Sequence, residues 1–173
     1  MPLHDVSVQR RAHKHNVGVA DATWESTKEG RHLAGRKKRD TRPEMLLRTA
    51  VHARGLRYAI QKRLANGCTP DIVLVSHRVA VFVDGCFWHQ CPLHGRTKFT
   101  GPNAALWSSK MQRNKERDLR ANELAVAAGY SVVRLWECDV TDDPKAAADL
   151  VVQVVATRSA AGQPGPRARA RSS

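Results

Sequence analysis

Cys86, Cys91 and His94 fall within nine residues, and Cys138 follows much later in the string Trp136-Glu137-Cys138. Three thiolates and one imidazole make a closed tetrahedral shell of the kind that holds structural zinc. Cys86 lies just beyond an apolar run, Val79 to Val83, and Cys138 just beyond another, Ser131 to Trp136. Strand ends are where distant parts of a chain converge. The bland alternative is that Cys86 or Cys138 is a small buried hydrophobe, yet two Cys and a His this close seldom coincide through packing need alone. Cys68 is left over and reads as an inert free thiol, with the alternative that it displaces Cys138 as the fourth ligand.

A second group is acidic. Asp71 precedes the run Ile72-Val73-Leu74-Val75, and Asp84 ends the run Val79 to Val83. A hairpin through Ser76-His77-Arg78 that sets Ser76 opposite Arg78 also sets Asp71 opposite Val83, with Asp84 close by. Carboxylates beside backbone carbonyls at the end of an apolar strand form a hard-oxygen site for Mg²⁺, which suits phosphate-ester chemistry. His89 is near enough in sequence to serve as base for an attacking water. A Pro-Asp dipeptide alone is usually just a turn, so Pro70-Asp71 carries weight only through its company.

The elements that must position these groups follow from local pattern. Thr41-Arg42-Pro43-Glu44 supplies a cap, a Pro in the first turn and a Glu three residues after the cap, opening a helix that Gly55 closes. Met45, Leu46, Thr49, Ala50 and Ala53 are its expected inward stripe. Leu56, Tyr58 and Ile60 alternate as a strand, and the hairpin follows the Asn66-Gly67 turn. A long helix is expected from about Asn103 to Ala128, then a strand from Ser131 to Trp136 and a last helix from Pro144 to Thr157. On the long helix Trp107, Met111, Asn114 and Asp118 share one face, where Asn114 and Asp118 are costly unless they meet water, metal or a base. Another face carries Lys110, Arg113, Arg117 and Arg120, either a phosphate track or a solvated surface. Helix, three strands, helix, strand, helix describes an α/β fold with one mixed sheet flanked by helices.

The chain has 173 residues, 29 Lys and Arg against 16 Asp and Glu, and a formal charge of +13. That balance points to a polyanion. Residues 1–40 read as a basic, largely disordered arm, 41–157 as the folded domain, and 158–173 as a disordered Arg-rich tail. No run is long and apolar enough for a membrane span and no signal peptide is evident, so the expected place is the cytoplasm, at the nucleoid, with no membrane partner.

Five strings then stand in unbroken order. They are Thr41-Arg42-Pro43-Glu44, Pro70-Asp71-Ile72-Val73, Val83-Asp84-Gly85-Cys86-Phe87-Trp88-His89, Asn114-Lys115-Glu116-Arg117-Asp118 and Val133-Arg134-Leu135-Trp136-Glu137-Cys138. Together they resemble the very short patch repair (Vsr) DNA mismatch endonucleases, above all in the Asp-Gly-Cys-Phe-Trp-His string. The resemblance implies a restriction-endonuclease-like fold with a structural zinc. It also implies Mg²⁺-dependent nicking on the 5′ side of the T in a T·G mismatch, the mispair left when 5-methylcytosine deaminates. By motif, Asp71 is then the direct Mg²⁺ ligand with the backbone carbonyl of Val83, and His89 the general base. Asp84 and Asp118 hold metal-bound waters, and Glu44 supports the site. Phe87, Trp88 and Trp107 form an aromatic wedge beside the mismatch, with Asn114, Lys110, Arg113 and Arg117 also facing DNA. The expected partners are duplex DNA containing T·G and other repair proteins, and the expected state is a monomer. Two further readings stay open: a related Mg²⁺-dependent endonuclease with another DNA target, and a noncatalytic zinc-stabilised DNA-binding module.

Overall fold

Thr41-Arg42-Pro43-Glu44 opens helix α1 (Arg42–Ala53), with Thr41 extended at the cap and Pro43 in the first turn. The capping differs in detail from the expected pattern. Thr41 Oγ1 donates to Glu44 Oε1 (2.8 Å), and Glu44 Oε2 accepts the Asp40 N–H (3.0 Å). The computed structural model describes residues 23–27, 31, 37 and 39–160, so the expected arm at 1–40 and tail at 158–173 lie largely outside the described residues.

The inward face of α1 is Leu47, Ala50 and Val51, together with the buried pair Glu44 and Arg48. Of the expected stripe, Leu46 and Ala50 face the core, whereas Met45 is 50% exposed and Thr49 and Ala53 are exposed as well. The helix is turned because an ion pair, which apolar periodicity does not register, takes part of the inner face. Strand β1 (Ala59–Ile60) is shorter than the alternation of Leu56, Tyr58 and Ile60 suggested. Leu56 and Tyr58 still pack on the core, and the Tyr58 hydroxyl donates to the Arg48 carbonyl (3.1 Å).

β2 (Ile72–Leu74) and β3 (Val79–Asp84) form the expected antiparallel hairpin with a different register. The chain leaves β2 in a 3₁₀ turn, Val75–His77, and closes on Arg78 in the left-handed region at φ 54°. Leu74 therefore faces Val79 and Ile72 faces Val81, one residue away from the pairing expected of a simple turn. Helix α2 (Ala104–Ala127) returns the chain so that β4 (Ser131–Trp136) runs parallel to β3. The sheet order is β1-β2-β3-β4. A short helix that sequence periodicity missed, α3 (Glu137–Asp142), precedes α4 (Pro144–Ala160). α4 runs past the expected Thr157, tied by Arg158 to Ser131 Oγ and the Gly129 carbonyl, both at 2.7 Å.

Alternation along the strands divides the core in two. Ile72, Leu74, Val79, Val81, Val133 and Leu135 face α1, α3 and α4, while Val73, Ala80 and Phe82 face Ala121 and Ala125 of α2. The result is a mixed α/β sandwich with the sheet between helical layers. Among the described residues no helix is long and apolar enough to cross a membrane. Leu47 is fully buried where α1 covers the sheet. Leu47→Ala is expected to cost about 2–5 kcal/mol in chemical denaturation, and a loss below about 1 kcal/mol would show that α1 is not a principal cover of this face.

Candidate functional site

The topology brings the chemical residues to one edge of the sheet. β2 runs antiparallel to β3, so Asp71 at its start lies at the outgoing end of β3. β4 runs parallel to β3, with Asp84 opposite Trp136, so Cys86 and Cys138, each two residues further on, leave the sheet side by side. The turn that carries Cys86 is fastened to the next strand's exit, because the Cys86 N–H donates to Glu137 Oε2 (3.0 Å).

Asp84, His89 and Asp118 converge there, with ligand atoms all within 4.8 Å of one another. His89 Nδ1 lies 2.5 Å from Asp118 Oδ2 and 3.6 Å from Asp84 Oδ1. Arg134, which no sequence pattern marks as a site residue, grips Asp84 with two hydrogen bonds, Nε to Oδ2 (2.6 Å) and Nη2 to Oδ1 (2.5 Å). Burial alone would push the Asp118 carboxyl up. The hydrogen bond with His89 and the charges of His89, Arg134 and Arg117 outweigh burial and hold it below the usual range. A pocket of about 340 Å³ opens here, walled by Leu119, Trp136 and Asn122 beside the four polar groups, with Lys115 also lining it.

Asp71 stands on the other flank of the β3 end. In the observed register its side chain reaches along the strand to accept the Val83 N–H (2.8 Å). Burial pushes its carboxyl up to about 6, and the negative charges of Glu44 and Asp84 add to that, against the Val83 hydrogen bond and Arg48. Glu44 is itself buried and paired with Arg48 (3.0 Å), whose Nη1 also binds Asp40. Glu44 thus lies close enough to Asp71 for its charge to raise the Asp71 carboxyl.

The Cys86, Cys91, His94 and Cys138 ligand atoms also lie within 4.8 Å of one another, a group that can hold a metal ion. Burial would raise the Cys91 thiol, but the backbone N–H groups of His94 and Leu93, with the His94 ring and Cys138, bring it down to about 7. Cys138 is pushed up to about 12 by burial and by the neighbouring sulfurs of Cys86 and Cys91. The alternative in which Cys68 replaces Cys138 fails. Cys68 is fully buried in the α2 side of the core and its thiol donates to the Ala121 carbonyl (3.3 Å).

Phe87, Trp88 and Trp107 cluster beside this edge, with ring centroids 5.1 to 6.1 Å apart. Two rings absent from the expected set join them. Phe99 stacks on Trp107 at 6.0 Å, and Trp24, from the segment before α1, meets its edge at 4.9 Å. That segment is anchored by the Glu25 backbone, whose N–H and carbonyl both pair with the Asn103 side chain. Lys110 Nζ sits over the rings of Trp24, Trp88 and Trp107 at 4.8 to 5.5 Å. Asn114 is buried and donates to the Trp88 carbonyl (2.9 Å), so it holds the aromatic loop, and Arg117 donates to it in turn (3.1 Å). Arg113, Arg117 and Arg120 lie exposed along α2.

With this geometry in hand, similarity to known proteins is specific. The family model described as DNA mismatch endonuclease Vsr matches residues 22–94. The chain is 40% identical to the type II nicking enzyme V.NaeI of Lentzea aerocolonigenes, over 79% of this chain and 83% of that protein. It is 37% identical to the type II nicking enzyme V.XorIIP of Xanthomonas oryzae pv. oryzae, over 61% of this chain and 76% of the other. With the DNA mismatch endonuclease Vsr of Escherichia coli strain K12 the identity is 33%, over 58% of this chain and 63% of the other.

The elevated Asp71 has a consequence for stability. An acid that holds its proton more tightly folded than unfolded costs stability as pH rises from its ordinary value through about 6, and costs nothing extra once both states are protonated. Asp71→Asn keeps an acceptor for the Val83 N–H and removes the charge. Without added divalent ion it is expected to be more stable than the parent by about 1–3 kcal/mol at pH 8 and equal to it near pH 4. Urea denaturation at the two pH values checks this; a difference independent of pH would show that the charge is not the cause.

Proposed function

Because the chain belongs to the Vsr family of DNA mismatch endonucleases, we propose that it hydrolyses one strand of duplex DNA on the 5′ side of the T in a T·G mismatch, initiating very short patch repair. The observation that carries this reading is the meeting of Asp84, His89 and Asp118 at one end of β3, with Asp71 on its other flank and a half-buried aromatic cluster beside it. An edge of this kind on a mixed sheet also fits a restriction-endonuclease-like fold. With its proton on Nδ1 and directed to Asp118, His89 presents Nε2 as the base that takes a proton from the attacking water. Asp71 and the Val83 backbone carbonyl would hold Mg²⁺, since a buried carboxylate beside Glu44 and Asp84 gains from a cation. Bound there, Mg²⁺ would supply Lewis-acid stabilisation of charge on the phosphate oxygens. Asp84 and Asp118 keep lone pairs beyond those given to Arg134 and His89, and these can orient metal-bound water. Glu44 supports Asp71 through the Arg48 pair.

Phe87, Trp88 and Trp107 are the rings proposed to enter the duplex, where a mismatched step unstacks more cheaply than a paired one. Lys110, Arg113 and Arg117 lie on α2 next to them and suit the phosphate backbone. Cys86, Cys91, His94 and Cys138 would hold structural Zn²⁺. Zn–S bonds of about 2.3 Å in a tetrahedron set two sulfurs about 3.8 Å apart, and Cys91 and Cys138 are 3.8 Å apart. A second reading keeps the chemistry and changes the target, and the relatives described as nicking enzymes, without mention of a mismatch, favour weighing it. A noncatalytic DNA-binding module is the weaker account, because uncompensated acids facing phosphate only cost affinity.

Nicking of duplexes carrying T·G, T·A or 5-methylcytosine·G, with Mg²⁺ present, separates the readings. T·G is expected to be cut and the paired duplexes spared, with Asp71→Ala inactive and His89→Ala slowed about 10²–10⁴-fold. Equal cutting of all three would reject mismatch specificity, and cutting by Asp71→Ala would reject the site. For the second metal, Cys138→Ser is expected to lower bound zinc in elemental analysis and lower the melting temperature; full zinc content in the variant would remove Cys138 from the ligand set.

A further inference from the structure

Arg134 is a half-buried arginine whose donors are turned to partners inside the protein. A guanidinium has five N–H donors in a fixed fork. Nε reaches Asp84 Oδ2 at 2.6 Å, and Nη2 reaches Asp84 Oδ1 at 2.5 Å and Asp118 Oδ1 at 3.2 Å. Nη1 reaches Asn122 Oδ1 at 2.9 Å and the Asp118 carbonyl at 3.3 Å. Four of the five are hydrogen-bonded within the protein and the fifth is turned to Asp118 Oδ1 as an ion pair, and the guanidinium carbon lies 4.8 Å from the centre of the Phe82 ring. The side chain stands on β4, the outer strand beside β3, where Arg134 pairs with Phe82 in the register.

What this arrangement resolves is a competition. Two carboxylates, Asp118 at 2.5 Å and Asp84 at 3.6 Å, flank the single N–H that neutral His89 can direct from Nδ1. Arg134 donates to both oxygens of Asp84 and offsets its charge, which weakens its pull on the imidazole and leaves the imidazole to Asp118, which Arg134 also braces. We infer that Arg134 is a positioning residue that occupies Asp84 and steadies Asp118, so that His89 takes one orientation with Nε2 facing the pocket. The inference rests on the reading of His89 as general base. Lysine cannot replace Arg134, having neither the planar fork nor the face that rests on Phe82.

The test uses the full chain as Arg134→Gln, Arg134→Lys and the charge-balanced double variant Asp84→Asn with Arg134→Gln. Steady-state nicking of a T·G duplex is measured with salt-dependent DNA binding, alongside the downfield imidazole N–H proton resonance of His89 without DNA or Mg²⁺. Arg134→Gln is expected to lower kcat about a hundredfold, with KM and the salt slope of binding unchanged and the resonance shifted or lost. Arg134→Lys should show the same pattern to a smaller degree, and serves if the glutamine variant fails to fold. The double variant also removes a proposed water-holding acid, so it is read by the resonance, which should return toward its parent position because the freed Asp84 charge no longer competes. Weaker binding with a flatter salt slope would instead make Arg134 a phosphate contact and overturn the inference. An unchanged resonance in the single variants would overturn it too. If the parent nicks no duplex, the reading of the site fails, and the resonance alone decides the role of Arg134.

Discussion

Everything at the chemical edge depends on the parallel pairing of β3 with β4. Its register sets Asp84 against Trp136, and from that one match follow the adjacency of Cys86 and Cys138 and the reach of Arg134 across to Asp84. A parallel pair needs a long crossover, and here it is α2, whose inner face lays Met111, Asn114 and Asp118 along the same edge. One topological choice therefore delivers an acid pair, a histidine support and half of a metal shell. The antiparallel hairpin adds Asp71 from the opposite side.

The edge is electrostatically uneven. Asp84 and Asp118 are compensated by Arg134 and His89, while Asp71 has the repulsion of Glu44 and Asp84 against the Val83 N–H and, for positive charge, the help of Arg48. Arg48 itself is committed to Asp40 and Glu44, and its Nε meets no partner. The carboxylate left short of positive charge is the one proposed to face the catalytic cation, and of the compensated pair Asp118 is the one proposed to hold the base. An uneven distribution of counter-charge sorts like residues into different tasks.

Much of this was legible in the chain. The strand from Ser131 to Trp136, the long helix ended by Gly129 and the four-ligand cysteine and histidine group stand in the structure as their patterns suggest. The hairpin register was not, because the 3₁₀ turn ending on left-handed Arg78 depends on backbone geometry that residue types do not encode. The α1 face was misjudged because Glu44 and Arg48 are buried as a pair, and α3 was missed because six residues with Val140 as their one buried position carry no period. Arg134 went unread for a related reason. A single basic residue in a strand looks like a surface charge, and only the fold shows that Asp84, two residues along the neighbouring strand from its own partner Phe82, is within its reach. Trp24 and Phe99 are remote in sequence from the Phe87-Trp88 string, so nothing local ties them to it.

The mutual packing of the aromatic rings bears on how a mismatch could be told from a paired step. Trp107 is already in contact with Trp24, Phe87 and Phe99 before any DNA arrives, and Lys110 lies over three of the rings. Edge-to-face contacts of this kind are worth about 0.5–1.5 kcal/mol each, and stacking on a base returns about 1–3 kcal/mol. The exchange is close to even, so the rings have no strong appetite for DNA as such. If the rings enter the duplex as proposed, the balance is tipped by how willingly the duplex opens, and the protein would act as a gauge of local stacking strength.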